Sequence, residues 1–214
     1  MNNKDCHPIL PEPTLRRLPW YLAYLETLLS RGVEHVSSTG ISQALNVDAS
    51  RIAKDLSFLN VKGKTRIGYE VKALAESLSD FLGFHVCHKA CVFGAGSLGK
   101  ALVRDDGLSN YGLQIVGAID TDPSLNGVSI VDGVSISTPD SLPLLMETFA
   151  PSVAIITVPA DKAQEVADNA ISAGFRAIWN FTPYRIKVPE GIALANTSIY
   201  AHLALIYNRM SEAR

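Results

Sequence analysis

Two hydrophobic periodicities divide the chain into a helical first part and an alternating second part. Up to about residue 84, apolar residues recur at spacings of three and four, which is the period of amphipathic helices. Gly32 is placed to end the first helix, and Ser38 and Asp48 are placed to cap the second and third. The last helical stretch, 71–84, is expected to link two domains. The pattern predicts helices over 15–31, 39–45, 49–59 and 71–84.

The second and third predicted helices are joined by a short turn, which is typical of a helix-turn-helix unit. Segment 61–71 is typical of a β-hairpin with a basic, glycine-containing tip, the shape of a wing. In such a unit the second helix enters the major groove of DNA, and basic residues of the wing hold phosphates. The residues predicted to contact DNA are Arg16, Ser38, Ser50, Arg51, Lys54, Ser57, Lys62, Lys64 and Arg66.

From residue 89 onward, short apolar runs alternate with helical stretches. The run at 90–93 is followed by a glycine-rich loop and then by a helix. In this fingerprint the first glycine permits a tight turn, the second lets the backbone approach a pyrophosphate, and the third allows close helix–strand packing. The helix N-terminus then offers N–H groups to the phosphates. The predicted loop residues are Gly94, Ala95, Gly96, Ser97, Leu98 and Gly99.

A second strand, 113–119, leads directly into Asp120. An acid about 20 residues after the glycines is suited to the two ribose hydroxyls of NAD, and it repels the 2′-phosphate of NADP. Two further strands are predicted at 153–159 and 177–181. Because parallel sheets bind ligands beyond the carboxyl ends of their strands, the residues there are expected to shape the nicotinamide pocket. They are Thr157, Val158, Pro159, Asn180, Phe181, Thr182 and Pro183. The alternative is a Rossmann-like domain that has lost its ligand.

Composition and charge narrow the class of protein. The net charge of −2 conceals a split, because residues 1–89 carry 11 Lys and Arg against 9 Asp and Glu, and residues 90–214 carry 8 against 12. Three cysteines are too few for a disulfide framework. No apolar run reaches the roughly 18 residues of a membrane helix, and the polar N-terminal segment lacks the apolar core of a signal peptide. We therefore expect a cytoplasmic protein with no membrane partner.

Three further features of the sequence bear on catalysis, metal binding and association. No acid–base pair suited to hydride transfer follows the strands, so we predict a protein that binds its cofactor and is not an enzyme. His85, Cys87, His88 and Cys91 are metal-ligand types, but the last lies in a strand and the others in a linker, so no metal is expected. The terminal helix, 197–210, either packs on its own sheet or forms a dimer contact. Its apolar residues are Ile199, Tyr200, Leu203, Ile206, Tyr207 and Met210.

The order of these parts resembles the Rex family of redox-sensing transcriptional repressors over residues 9–210. The resemblance rests on Thr-Leu-Arg-Arg-Leu-Pro-Trp-Tyr at 14–21, Val-Ser-Ser at 36–38, Lys-Asp-Leu-Ser-Phe at 54–58 and Ile-Gly-Tyr-Glu-Val at 67–71, and continues through the glycine loop, Asp120, 157–159 and 180–183. It implies a homodimer that exchanges its C-terminal helix and releases operator DNA when NADH binds, with NAD competing weakly.

The expected fold class is α/β. A winged-helix DNA-binding domain is expected at 1–84, a Rossmann-like parallel-sheet domain at 85–195 and a C-terminal dimerisation helix at 196–214. Two other functions stay open: an NAD-dependent Rossmann oxidoreductase with an N-terminal helical domain, and a Rex-like regulator that senses another nucleotide such as CoA or ADP-ribose.

The chain departs from the family pattern at several positions that bear on DNA binding and switching. Ala53 replaces one basic residue of the recognition helix, and Asp105 stands where a tyrosine often packs near the nicotinamide. Ala23 and Thr197 stand where an arginine and an aspartate often pair at the dimer switch. The paired loss indicates a rewired switch. Leu59-Asn60, Lys62 and Thr65 are the remaining departures.

Overall fold

The computed structural model describes residues 10–59 and 61–212 of the 214-residue chain. The first nine residues, on which the expectation of no signal peptide partly depended, and Asn60 lie outside the described residues. The chain divides into two compact units, Met1–Val86 and Cys87–Arg214. No helix in the described ranges is long and apolar enough to cross a membrane.

The first unit is a small helical domain with a two-stranded antiparallel sheet. Its core lies where α1 (Glu12–Ser30) and α4 (Val71–Leu82) pack together, and Leu18, Leu25, Leu74 and Leu78 are fully buried there. The expectation that 71–84 is a linker is therefore wrong, because α4 belongs to this core. The elements are α1 (Glu12–Ser30), β1 (His35–Val36), α2 (Ser38–Leu45), α3 (Ala49–Leu56), β2 (Tyr69–Glu70) and α4 (Val71–Leu82).

The helix boundaries of this unit differ from the predicted ones for local reasons. The cap of α2 is Ser37 rather than Ser38, because the Ser37 hydroxyl accepts the backbone N–H of Gly40 at 3.0 Å. Asp48 caps α3 as predicted, but α3 ends at Leu56 instead of residue 59. The α1 helix begins three residues before its predicted start, with Pro11 at its N-cap and Pro13 in its first turn, where a missing N–H costs little.

The predicted hairpin at 61–71 closes only at its tip. Backbone hydrogen bonds join Lys64 and Gly68 in both directions, at 2.8 and 2.9 Å. The residues after the tip form β2, which pairs with β1 and not with the start of the hairpin. Gly68 permits this pairing, since a Cβ there would lie 2.3 Å from the Val36 carbonyl oxygen.

Within residues 87–212, the second unit contains a seven-stranded sheet in the order β5-β6-β4-β3-β7-β8-β9. All neighbours are parallel except β5, which pairs antiparallel with β6 at the edge. The six parallel strands therefore follow the order of the doubly wound dinucleotide-binding fold. The strands are β3 (His88–Phe93), β4 (Leu113–Ile119), β5 (Ser129–Val131), β6 (Val134–Ser137), β7 (Val153–Ile156), β8 (Ala177–Asn180) and β9 (Ala193–Asn196).

Both faces of this sheet are covered. Along β3, Cys91 and Phe93 belong to one hydrophobic cluster, and Ala90 and Val92 belong to another, because successive strand side chains point to opposite faces. Since β3 begins at His88, that residue lies in the sheet and not in a linker. The helices are α5 (Ser97–Val103), α6 (Gly107–Asn110), α7 (Leu142–Phe149), α8 (Ala163–Ala173) and α9 (Ile199–Glu212).

Candidate functional site

The glycine loop follows the central strand β3. The next strands in the chain, β4 to β6, lie on one side of β3, and β7 to β9 lie on the other side. This is the switch point at which doubly wound sheets bind ligands. A Cβ on Gly99 would lie 2.0 Å from the Gly94 carbonyl oxygen, so the third glycine is needed for packing. No atom lies within 4 Å of a Cβ placed on Gly96. The middle of the loop is therefore open for a phosphate to approach.

Asp120 is held against this loop. One carboxylate oxygen accepts the backbone N–H of Ala95 at 2.6 Å, and the other accepts the backbone N–H of Asp122 at 2.9 Å. Two bonds leave unused lone pairs, because an ionised carboxylate has about four acceptor positions. The side chain is thus oriented by the backbone and can still accept the two hydroxyls of a ribose.

Thr157 joins the loop after β7 to the loop after β3. Its hydroxyl lies 2.7 Å from the Gly94 carbonyl oxygen and 3.1 Å from that of Phe93, so it donates its single proton to this pair. Gly94 has a φ of +96° and approaches the Thr157 backbone at a distance that a Cβ would not allow. Thr157 therefore fixes the shape of the crevice.

A cavity of about 850 Å³ opens at the switch point. Its size is within the usual range of small-molecule sites, about 300–1,000 Å³. Of the predicted residues, the cavity is lined by Gly94, Gly96, Asp120, Thr157, Val158 and Pro159. The sequence did not indicate the opposite wall, which comes from the segments around α7 and α8 and consists of Pro139, Leu142, Lys162, Glu165, Val166 and Asn169.

Asn180, the last residue of β8, and the three residues after it do not line this cavity. The amide nitrogen of Asn180 donates to the Tyr184 carbonyl oxygen at 2.7 Å and to the Asn196 side chain at 2.9 Å, and its oxygen accepts the Thr182 backbone N–H. Asn180 and Thr182 are buried and build the turn itself. Phe181 lies against the Trp179 ring, and Pro183 is exposed.

Ala95, Ser97 and Leu98 belong to the loop and the first turn of α5, without lining the cavity. Asp105 is exposed, and its carboxylate accepts the backbone N–H of Gly107 at 2.8 Å. Its carboxylate thus closes a local turn.

In the first unit, α3 presents one polar face. Arg51 and Lys54 are exposed, whereas Ile52, Asp55 and Leu56 are buried. Two of the predicted hydroxyls are committed to the helix, since that of Ser50 donates to the Asp48 carboxylate and that of Ser57 donates to the Lys54 carbonyl oxygen. Among the described residues, neither Arg51 nor Lys54 has an ion pair, so both cations can donate from this face.

The buried Asp55 forms a polar network that ties α3 to α1. Arg17 donates to both carboxylate oxygens, at 2.7 and 2.8 Å, and Tyr21 and Thr14 donate to them at 2.8 and 3.0 Å. Burial raises the pKa of the Asp55 carboxyl, but these hydrogen bonds outweigh burial and hold the pKa below its ordinary value. Burial, followed by the bond to Asp55, raises the pKa of Tyr21 to about 12.

The sequence reasoning missed this network, although an acid on the inward stripe of α3 was a signal for it. The neighbouring Arg16, which was predicted to contact DNA, is exposed and pairs with Glu12 at 2.7 Å. Two adjacent arginines on one helix therefore have different environments.

The basic tip of the wing lies beside the start of α2. Lys62, Lys64 and Arg66 are exposed. Ser37 and Ser38 line a small cavity of about 300 Å³ together with residues 63–69 of the wing. The predicted Ser38 is thus brought near two of the predicted wing cations.

The candidate metal ligands and the terminal helix lie in the second unit or close to it. Within the residues that the structure describes, no three His, Cys, Asp or Glu side chains converge to hold a metal. Burial raises the pKa of the Cys91 thiol to about 12, whereas Cys87 is exposed. The α9 helix buries none of its residues, so the packing of this helix on its own sheet is not observed.

Comparisons with known proteins cover both units. A family model described as a putative DNA-binding protein N-terminus matches residues 9–57, and one described as a CoA binding domain matches residues 87–184. A redox-sensing transcriptional repressor Rex of Bacteroides fragilis is 51% identical over 214 residues, which are 99% of this chain and 97% of the relative.

Two solved structures of a Rex-family repressor, RSP, are also similar. The chain matches RSP in complex with β-NAD+ and operator DNA with a TM-score of 0.90 and 32% identity, covering 96% of this chain and 94% of that one. It matches RSP in complex with β-NADH with a TM-score of 0.85 and 33% identity, covering 96% of both chains.

Proposed function

Because this chain belongs to the Rex family of redox-sensing transcriptional repressors, we propose that it binds operator DNA and releases it when NADH enters the crevice. Residues 1–84 bind the DNA, 85–195 bind NADH or NAD, and 196–214 join two copies into a homodimer. The protein acts in the cytoplasm, where its DNA lies.

The observation that carries the proposal is Asp120 at the edge of the 850 Å³ cavity. Its carboxylate is fixed by the backbone of the glycine loop and retains free acceptor positions. A free ribose diol can donate two hydrogen bonds to it. A ribose phosphate places a second negative charge beside it, which is unfavourable at short range.

This charge argument separates the candidate nucleotides. NADH, NAD and ADP-ribose carry a free diol on the adenosine ribose, whereas NADP and CoA carry a phosphate there. We therefore propose NADH and NAD as ligands over CoA, even though a CoA-binding family model matches this unit. The oxidoreductase alternative is not retained, because the family consists of repressors and not of enzymes.

The dimer contact is assigned to α9. Its apolar side chains are 37–64% exposed in the single chain, and exposed apolar patches often mark protein interfaces. Deleting residues 197–214 is expected to give monomers on size-exclusion chromatography. A truncated protein that remains dimeric would exclude this assignment.

The first experiment titrates NADH and NAD separately against the complex with DNA from upstream of its own gene, in a mobility-shift assay. NADH is expected to release the DNA at lower concentration than NAD. If CoA releases the DNA and the two dinucleotides do not, CoA would replace NADH as the proposed ligand. A protein that does not shift the fragment would contradict the repressor proposal.

The ligand site is tested by Asp120→Ala, which is expected to weaken NADH binding several-fold in a direct calorimetric titration. Asp132→Ala is the matched control, because it removes the same charge from an exposed turn outside the cavity. Equal affinities of the two variants would remove the ribose role of Asp120.

The DNA site is tested by Lys54→Ala, with Lys72→Ala on α4 as a charge-matched control outside α3 and the wing. If Lys54 reads a base, its removal weakens operator binding by about 1–3 kcal/mol and relaxes the preference at one position. A uniform loss across DNA sequences would make Lys54 a phosphate contact instead.

A further inference from the structure

The α8 wall of the cavity presents a row of side chains whose role the glycine loop and Asp120 do not explain. Lys162, Glu165, Val166 and Asn169 line the cavity, and all but the valine are polar. They recur at spacings of three and four residues, so they lie on one face of the helix and of the turn before it. Such a row is suited to a part of the ligand that itself carries hydrogen-bonding groups.

The position of Asp120 indicates which part of a dinucleotide meets this wall. The glycine loop is the proposed pyrophosphate site, and Asp120 is the proposed site of the adenosine ribose. In a dinucleotide the base is joined to the side of the ribose that faces away from the pyrophosphate. The cavity walls that remain beyond Asp120 come from the segments around α7 and α8. We therefore expect the base to lie between these segments.

Two apolar side chains on these segments are suited to the faces of a flat ring. Leu142 begins α7 and Val166 lies in the first turn of α8, and both pack against the same hydrophobic cluster. A protein pocket that binds a single base holds its faces between apolar side chains and reads its edge with hydrogen bonds. An apolar slot alone accepts any purine, because all purines share one ring system. Discrimination between purines therefore has to come from side chains at the edge of the ring.

Glu165 and Asn169 are suited to the edge of adenine. An ionised carboxylate only accepts hydrogen bonds, and the adenine edge carries an amino group that donates them. The Lys162 ammonium lies 3.3 Å from the Glu165 Oε2 atom, which leaves Oε1 for that amino group. Asn169 lies one turn further along α8, and its amide can accept from the amino group and donate to a ring nitrogen. Hypoxanthine and guanine instead carry an oxygen at this position, which would face the carboxylate with a second acceptor.

We propose that Glu165 and Asn169 read the edge of the base and make the cavity selective for an adenine dinucleotide, while Lys162 holds Glu165 in place. This inference rests on the proposed function, because it requires that NADH binds in the cavity. It assigns to the α8 wall a specificity that Asp120 cannot give, since dinucleotides of hypoxanthine and guanine carry the same ribose.

The test titrates the full chain by calorimetry with NADH and with the reduced nicotinamide hypoxanthine dinucleotide. The two ligands differ only in the base, where an oxygen replaces the amino group and the adjacent ring nitrogen gains a hydrogen. The wild type is expected to bind NADH at least about fivefold more tightly, which is the lower end of what a specific base contact gives. The lower end applies because the Lys162 and Glu165 side chains are 58% and 65% exposed, so water satisfies part of the mismatched edge.

Glu165→Gln is the main variant, because glutamine keeps the length of the side chain and its amide can either accept or donate. It is expected to bring the affinities for the two dinucleotides close together. Asn169→Ala is expected to weaken NADH binding and to narrow the ratio. Glu147→Gln is the matched control, since it removes the same charge from an exposed position of α7 outside the cavity, and it is expected to keep the wild-type ratio.

The ratio of the two affinities is the readout, because a merely structural change would weaken both ligands equally. A wild type that binds the two dinucleotides with equal affinity would overturn the inference. If Glu165→Gln or Asn169→Ala retains the full wild-type ratio, the assignment of that residue to the base edge is wrong. A wild type that binds neither dinucleotide would instead contradict the proposed function.

Discussion

Replacing Arg17 by methionine tests how strongly the buried network holds α3 against α1. Arg17 donates through Nε to one Asp55 oxygen at 2.7 Å and through Nη2 to the other at 2.8 Å. Methionine keeps much of the aliphatic volume and removes the cation. The carboxylate would retain its bonds from Tyr21 and Thr14 but would lose its only ionic partner in the described structure.

The magnitude follows from the burial of the two charges. The Asp55 side chain is 3% exposed, and removing one partner of a buried ion pair costs about 3–5 kcal/mol. The Arg17 side chain is 17% exposed, so water replaces part of the lost interaction and the lower end, about 3 kcal/mol, is expected. A unit of this size has a stability of roughly 4–13 kcal/mol, so the loss is a large fraction of it.

The measurement is urea unfolding of the full chain, followed by tryptophan fluorescence. The chain has two tryptophans, Trp20 on α1 and Trp179 in the second unit, so a Trp179→Phe background reports the first unit alone. The unfolding midpoint is expected to fall, with little change in the slope against urea.

Arg16→Met in the same background is the control. Its pair with Glu12 is formed by side chains that are 68% and 72% exposed, so this substitution should change stability by less than about 0.5 kcal/mol. If Arg17→Met and Arg16→Met unfold at the same urea concentration, the buried pair contributes nothing, and the reasoning is refuted.

Three further predictions follow from the local geometry. The pKa of Asp55 is lower in the folded protein than in the unfolded chain. Its contribution to the free energy of unfolding is therefore present above the unfolded pKa of about 4 and is lost as the pH falls from there through the folded pKa. In urea unfolding, the difference in free energy of unfolding between the wild type and Asp55→Asn should therefore narrow between pH 5 and pH 3. Gly99→Ala should destabilise the second unit, whereas Gly96→Ala should leave its Tm unchanged and weaken NADH binding in calorimetry. Ser37→Ala should cost about 1 kcal/mol in urea unfolding and Ser38→Ala little, because only Ser37 caps α2.

The glycine loop and Asp120 were predictable because their geometry is local. The fingerprint consists of a strand, three glycines at fixed spacing and an acid after the next strand. All of these parts lie within about 30 residues of the chain. The opposite wall of the cavity was not predictable in the same way. Leu142 and Val166 reach it from helices that follow other strands, and neither has a sequence feature that distinguishes it from an ordinary core residue.

Asn180 shows a different limit of sequence reasoning. The rule that ligands bind beyond the carboxyl ends of strands places this residue at the right edge of the sheet. However, β8 lies one strand away from the β3–β7 switch point, and the rule does not fix the direction of a side chain. The buried Asn180 amide instead donates hydrogen bonds to the Tyr184 carbonyl oxygen and the Asn196 side chain, because a buried polar group needs hydrogen-bond partners.

The partner of Asp55 lies 38 residues earlier in the chain, which explains why the network was not predicted. The position of Asp55 on the inward stripe of α3 indicated that a donor was needed. Several residues of α1 were available, and their sequence does not show that Arg17 is the one that reaches Asp55. The strand β1 was missed for a related reason, since two residues carry no alternation pattern.

The structure also limits the forces by which the proposed dimer can be held. Ala23 is exposed and uncharged, and the Thr197 hydroxyl accepts the indole N–H of Trp179 at 2.9 Å within its own unit. Neither residue can form the ion pair that the family resemblance implies at these positions. The association proposed for α9 would then depend on burying its apolar side chains, which salt does not screen as it screens exposed charges. Raising the salt concentration should then weaken the DNA contacts of Lys54 and the wing while leaving the dimer intact.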